Sequence, residues 1–176
     1  MRYDPVIWFL IAFAILFNCG RESQKGLTEE EYENTREALV GANRILVKKD
    51  YERIKSFAER KGWEMNETLS GLWYQIYENG SGPSAKKGLL ITLEYTVSLL
   101  DGTVIYDSDS LGLKRFRIGN GGVESGLEEG VLLLREGDRA RFIIPPHLAH
   151  GLTGDGDKIP SRSIILYDIT VVGLDT

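Results

Sequence analysis

Both histidines of the chain, His147 and His150, fall in one broken stretch, IIPPHLAHGLTGDGDKIP (Ile143 to Pro160), together with Asp155 and Asp157. HLAH sets the two rings three residues apart, but no cysteine or carboxylate at ligand spacing completes a metal site. DGD lacks the alternating ligands and closing glutamate of a calcium loop and reads as a tight turn. The expected metal content is none. GNGGVESG, Gly119 to Gly126, is glycine-rich, yet it carries Glu124 where a phosphate would have to approach. Glu128 and Glu129 fall in the first turn of a short helix, where acids complement the helix dipole rather than form a catalytic pair. The single cysteine lies far upstream at position 19, so a Ser-His or Cys-His hydrolase has few parts to draw on. What remains at 143–160 is apolar surface on a backbone fixed by prolines and glycines, which suits binding better than nucleophilic attack.

The elements that must position such a surface follow from composition and periodicity. The chain has 176 residues, 42% of them hydrophobic, enough for one domain and a small appendage. A net charge of −5 and the absence of any Lys/Arg run argue against nucleic acid as a partner. MRYDPVIWFLIAFAILFNC carries an early Arg2 and an apolar run from Val6 to Phe17, short of the roughly 20 residues needed to span a bilayer. It matches the apolar core of a signal peptide. Thr28 and Glu31 then form a capping box, with Leu27 placed to staple onto Tyr32. Ala38, Leu39, Ala42, Ile45 and Leu46 recur at helical spacing. A second helix is expected from about Tyr51 to Lys61, capped by Asp50, stopped by Gly62, and turning Ile54, Phe57 and Ala58 inward. The first stripe suits either packing within the protein, the preferred reading, or a dimer seam. From Leu72 the period changes to two: LWYQIY, LLITLEYTVSLL, TVIYDS, RFRIG, RARFII and SIILYDITVVGL read as strands, with Asp101-Gly102 turning a hairpin. One helix interrupts them, SGLEEGVLLL, where Ser125 and Glu128 suggest another capping box and Leu127, Val131 and Leu134 share a face. Strands around a single short helix give the class α+β, with an antiparallel sheet.

LFNC followed by GRESQKG resembles a bacterial lipobox, with Asn18 in place of the usual small residue before the cysteine. The resemblance implies a signal peptide over 1–18, a lipid on Cys19 and a tether over 19–27. LEYTVSLLDGTVIYDS, GVESGLEEGVLLLREGDRARFIIP, LAHGLTGDGDKIP and SIILYDITVV resemble, in order and spacing, the FKBP-type peptidyl-prolyl cis-trans isomerases. The similarity runs from about Leu72 to Leu174, and the layout resembles lipid-anchored bacterial members. It implies an isomerase domain over 72–176, behind a helical segment over 28–71, folded as a curved antiparallel sheet wrapped around one short helix. It implies a substrate hollow between sheet and helix, with Tyr95, Tyr106, Asp107 and Tyr167 as catalytic residues. Phe116, Val123, Glu124, Leu127, His150 and Ile159 are implied as substrate-binding residues. Lys114, Leu127, His150 and Asp155 depart from the family pattern and reduce the aromatic area of the pocket.

Such a hollow needs no cofactor. Amide resonance sets a barrier of about 18–20 kcal/mol to rotation about an X–Pro bond, and a dry cavity that binds the twisted form better than either planar form lowers it. A carboxylate at Asp107 requires a partner there, and the hydroxyl of Tyr95 or Tyr167 is expected to supply it; the plainer role is a turn cap within DSDS. The expected function is therefore isomerisation of proline-containing or unfolded segments during folding outside the cytoplasm. The protein is expected to be exported and lipid-anchored, with two N-terminal helices able to form a homodimer. The alternative is an anchored binding module or chaperone of the same fold with little catalysis.

Overall fold

The computed structural model describes residues 28–176; the expected signal peptide, Cys19, the tether and the Leu27 staple lie outside them. The chain divides into two units between Ala42 and Asn43. Of the first, the described part is the beginning of helix α1 (Glu29–Lys61). Its start is the expected capping box: Glu31 N donates to Thr28 Oγ1 at 3.3 Å and Thr28 N donates to Glu31 Oε2 at 2.9 Å. Leu39 and Ile45 on the apolar stripe are exposed, at 65% and 70%.

The second unit holds the rest of α1 and, in chain order, β1 (Asn66–Glu67), β2 (Trp73–Glu78), β3 (Leu90–Leu99), β4 (Val104–Asp107), α2 (Ser108–Leu111), β5 (Lys114–Arg117), α3 (Ser125–Val131), β6 (Arg139–Ile144) and β7 (Ile165–Asp175). The strands form one antiparallel sheet in the order β1-β2-β6-β7-β3-β4, with β5 added to the first part of β3. Ten-residue β3 is its spine: one edge pairs with β7, while the other pairs first with β5 and then with β4. The Asp101-Gly102 hairpin forms as expected, with Gly102 at φ 93°.

Alternation along the strands sorts side chains between two faces. Ile91, Leu93, Tyr95 and Val97 of β3, Phe142 and Ile144 of β6, and Tyr167, Ile169 and Val171 of β7 form one core with Leu127, Val131 and Leu134 of the α3 region. Ile143, between two of those residues, joins Ile54 and Phe57 of α1 and Ile164 in a separate cluster. The helices thus cover opposite faces of the sheet. Helix α3 lies close on β6 because Gly126 and Gly130 face it. A Cβ on Gly130 would sit 2.6 Å from the Phe142 ring, and one on Gly126 would sit 2.5 Å from Ile144.

Two local expectations are corrected. The expected break at Asp50 does not occur: α1 runs unbroken to Lys61, because LVKKDYERI contains no residue that stops a helix. Asp50 is buried, and its Oδ2 accepts from Arg162 Nη2 at 2.7 Å. The capping box at Ser125 does not form. Glu124 is the N-cap without a side-chain bond, Ser125 Oγ donates to Leu148 O, and Glu128 Oε1 accepts from the N–H groups of Gly119 and Gly121. The unit that contains the sheet begins at Asn43, and Ile54 and Phe57 of α1 belong to its packing.

Candidate active site

Tyr95 and Val97 of β3, Tyr106 of β4 and Tyr167 of β7 converge because each occupies the α3-facing position of its strand; the register sets Val97 opposite both Tyr106 and Tyr167. Together with Leu111, Lys114, Gly122, Val123, Glu124, Ala149 and His150 they line an open hollow of about 490 Å³. The tyrosine rings of 95 and 167 lie 6.2 Å apart at their centroids, tilted by 40°. Beneath them Leu127 is fully buried, and Phe116 and Ile159 are nearly so.

One end of the hollow is polar. Tyr167 donates its hydroxyl proton to Glu124 Oε1 at 2.9 Å and accepts from Lys114 Nζ at 3.0 Å. His150 Nε2 lies 3.2 Å from the same Glu124 oxygen. Glu124 Oε2 is sealed from solvent, has no hydrogen-bond partner among the described residues, and lies 3.7 Å from Lys114 Nζ. Burial, followed by the neighbouring Glu124 charge and hydrogen bond, pushes the Tyr167 hydroxyl far above the usual tyrosine range. On the rim, Tyr106 donates to Asp155 Oδ2 at 2.5 Å, which raises its hydroxyl to about 12. Asp155 Oδ1 also accepts from the N–H groups of Asp157 and Ile159. Burial opposes its ionisation, but these three donors prevail and hold the carboxyl at about 2. The loop is therefore a turn built on Asp155, with Gly154 at φ +76° where a Cβ would strike Ile159 O at 2.2 Å.

Of the ten expected protein-site residues, Tyr95, Tyr106, Tyr167, Val123, Glu124 and His150 border the hollow. Phe116, Leu127 and Ile159 lie in the core packed beneath it. The expected tyrosine partner for Asp107 is corrected: its Oδ1 accepts from Ser110 N at 2.7 Å and caps α2. Tyr106 faces the hollow, so its strand neighbour turns the other way, toward a depression shared with Glu94 and Thr96. Asp107 still acts at a distance: burial first, then the charges of Asp107 and Glu124, raise the Tyr95 hydroxyl. The sequence reading missed Val97, Leu111, Gly122 and Ala149 as lining residues. Val97, two residues beyond Tyr95, was accessible from strand alternation; Leu111 at the end of α2 and Ala149 in the loop after β6 are placed only by the tertiary fold.

An antiparallel sheet with one short helix packed on the face that carries an aromatic-walled hollow defines an α+β fold with a ligand-sized cleft. Comparison with known proteins places it more narrowly. The family model described as FKBP-type peptidyl-prolyl cis-trans isomerase matches residues 82–172. The chain is similar to the chloroplastic peptidyl-prolyl cis-trans isomerase FKBP13 of Arabidopsis thaliana, 33% identical over 93% of this chain and 76% of that protein. It is also similar to the probable FKBP-type peptidyl-prolyl cis-trans isomerase FkpA of Neisseria meningitidis serogroup B, 37% identical over 68% of this chain and 43% of that one, less than half the relative's length. Among solved structures, the crystal structure of FkpA from Escherichia coli superposes with TM-score 0.64 at 25% identity, covering 99% of this chain and 84% of that chain. The crystal structure of AtFKBP13 gives 0.60 at 36% identity, covering 62% and 98%. The chain belongs to the FKBP-type peptidyl-prolyl cis-trans isomerase family.

Proposed function

We propose that this protein isomerises X–Pro bonds of polypeptides folding outside the cytoplasm, held at a membrane by a lipid on Cys19. The observation that carries the isomerase reading is the hollow walled by Tyr95, Val97, Tyr106 and Tyr167. A proline ring entering it leaves water for aromatic and apolar surface. The planar amide, stabilised by charge separation, loses more from that transfer than the twisted one, whose nitrogen has given up resonance. Tyr95, Tyr106 and Tyr167 act as the walls, Val123 and the Glu124 backbone receive the peptide, and His150 overhangs it. Leu127, Phe116 and Ile159 hold the floor. Asp107 acts on Tyr95 only through its charge.

A specific observation favours a second reading, a binding module with little turnover: Lys114 and Glu124 bring charge, and His150 a polar ring, to one end of the hollow. Prolyl-peptide isomerisation decides between them. Wild-type full chain is expected to accelerate exchange, and Tyr106→Ala to lower kcat/KM about tenfold or more by opening a wall to water, a loss of roughly 1.4 kcal/mol in transition-state stabilisation. Unchanged turnover in a folded Tyr106→Ala variant would place the chemistry elsewhere.

The apolar run before Cys19 supports export, and exposed Leu39 and Ile45 on α1 support self-association through that helix.

A further inference from the structure

Four side chains at the polar end of the hollow form one chain of donors and acceptors. Tyr167 has a single proton and gives it to Glu124, so its contact with Lys114 must be donation by the ammonium. Glu124, a carboxylate that only accepts, also accepts a hydrogen bond from the Nε2–H of His150. One Glu124 oxygen is thus engaged twice and the other is sealed beneath Lys114. Lys114 itself keeps N–H groups to offer. Its side chain is 26% exposed, it lines the hollow, and its Nζ stands 5.5 Å from the ring centroids of both Tyr95 and Tyr167. A second ammonium, Lys158, lies 5.4 Å over the Tyr106 ring. The neighbouring Asp155 is already occupied by three donors. Lys158 on the rim is offset by Asp155 and Asp157, so at the polar end the donor that an incoming peptide meets is the Lys114 ammonium, with Glu124 already engaged by Tyr167 and His150.

We infer that the hollow prefers segments with aspartate or glutamate immediately before the proline, and that Lys114 sets this preference; the inference rests on the isomerase reading above. The side chain before the proline flanks the bond that rotates, and a carboxylate there converts a free ammonium N–H into a charge-assisted hydrogen bond. A lysine at the same position meets like charge, and an alanine gains neither effect. Glu124 is a positioning residue: its buried carboxylate, fixed by Tyr167 and His150, keeps the Lys114 ammonium inside the hollow.

The experiment uses full-length protein in detergent and succinyl-Ala-Xaa-Pro-Phe-p-nitroanilide peptides with Xaa glutamate, alanine or lysine. Both kcat/KM and peptide affinity are measured. Glutamate is expected to exceed alanine by about five- to tenfold and lysine by more, and the difference should shrink in about 1 M salt. Lys114→Met should level the series. Because that change leaves Glu124 without its counter-charge, Lys114→Met/Glu124→Gln, with folding confirmed by circular dichroism, tests the same point in a neutral hollow and should level it too. Equal rates and equal affinities for glutamate and alanine peptides in the wild type overturn the inference, as does a glutamate preference that survives in the folded double variant. Absence of turnover on every peptide, with affinity still ordered glutamate, alanine, lysine, would fail the isomerase reading and leave the carboxylate preference standing.

Discussion

Tyr167 is almost wholly buried, and its hydroxyl sits between Lys114 and Glu124, where it must donate to one and accept from the other. Tyr167→Phe keeps the ring and removes that link. Glu124 then loses a donor at a buried carboxylate, so the variant should unfold with about 1–3 kcal/mol less stability, measurable by thermal or urea denaturation. Asp155 gives a pH-dependent counterpart. Its carboxyl is held at about 2 against an ordinary 3.8, so what it adds to stability is complete above about pH 4 and is lost as the pH falls toward 2. In Asp155→Asn the acid limb of the stability curve should flatten over that window, and Tyr106, facing a neutral amide oxygen instead of a carboxylate, should titrate closer to the ordinary tyrosine range. Persistence of the wild-type acid limb would show that the rim does not depend on this carboxylate.

Helix α3 forms the underside of the hollow only because it can approach β6 without Cβ atoms at 126 and 130. Gly130→Ala would drive a methyl into Phe142, which packs in the core beneath the site. The expected cost is about 1–3 kcal/mol in stability, with kcat/KM falling as the floor shifts; a neutral result in both would mean that α3 can move without deforming the hollow. On the opposite face, α1 is tied to the loop after the site by a long-range pair. Arg162 adopts φ 56°, bonds Asp50 through its guanidinium, and donates its N–H to Gly151 O, next to His150. Asp50→Ala should cost near the low end of the roughly 3–5 kcal/mol for breaking a buried pair, because Arg162 is partly exposed and can rehydrate. The loss should show as a lower Tm.

For the molecule as a whole, the proposed lipid attachment and the catalysis are expected to be separable. Cys19→Ala should release the protein from the membrane fraction or leave its precursor uncut, without changing turnover of the detergent-solubilised chain. Wild-type fractionation of that variant would overturn lipid attachment.

The sequence by itself determined what depends on local pattern. Alternation of apolar residues along β3, β6 and β7 fixed which side chains enter the core, since neighbouring strand residues point to opposite faces. Thr28 and Glu31 fixed the start of α1, Gly62 its end, and Asp101-Gly102 the hairpin, all through partners a few residues away. The family motifs brought Tyr95, Tyr106, Tyr167, Val123, Glu124 and His150 to the hollow. Tertiary structure alone decided how polar side chains with several available partners would spend them. Asp107 could serve a tyrosine or a turn, and the backbone of α2 took it. Glu128 could complete a capping box, and the amides of Gly119 and Gly121 captured it instead. Asp50 could cap a helix, but α1 runs through it and its carboxylate pairs with Arg162, far along the chain. The link from Lys114 through Tyr167 to Glu124 joins three separate elements. Apolar side chains need only the correct face, which periodicity supplies. A hydrogen-bonding group needs a particular atom within about 3 Å, and only the folded chain determines which atom that is.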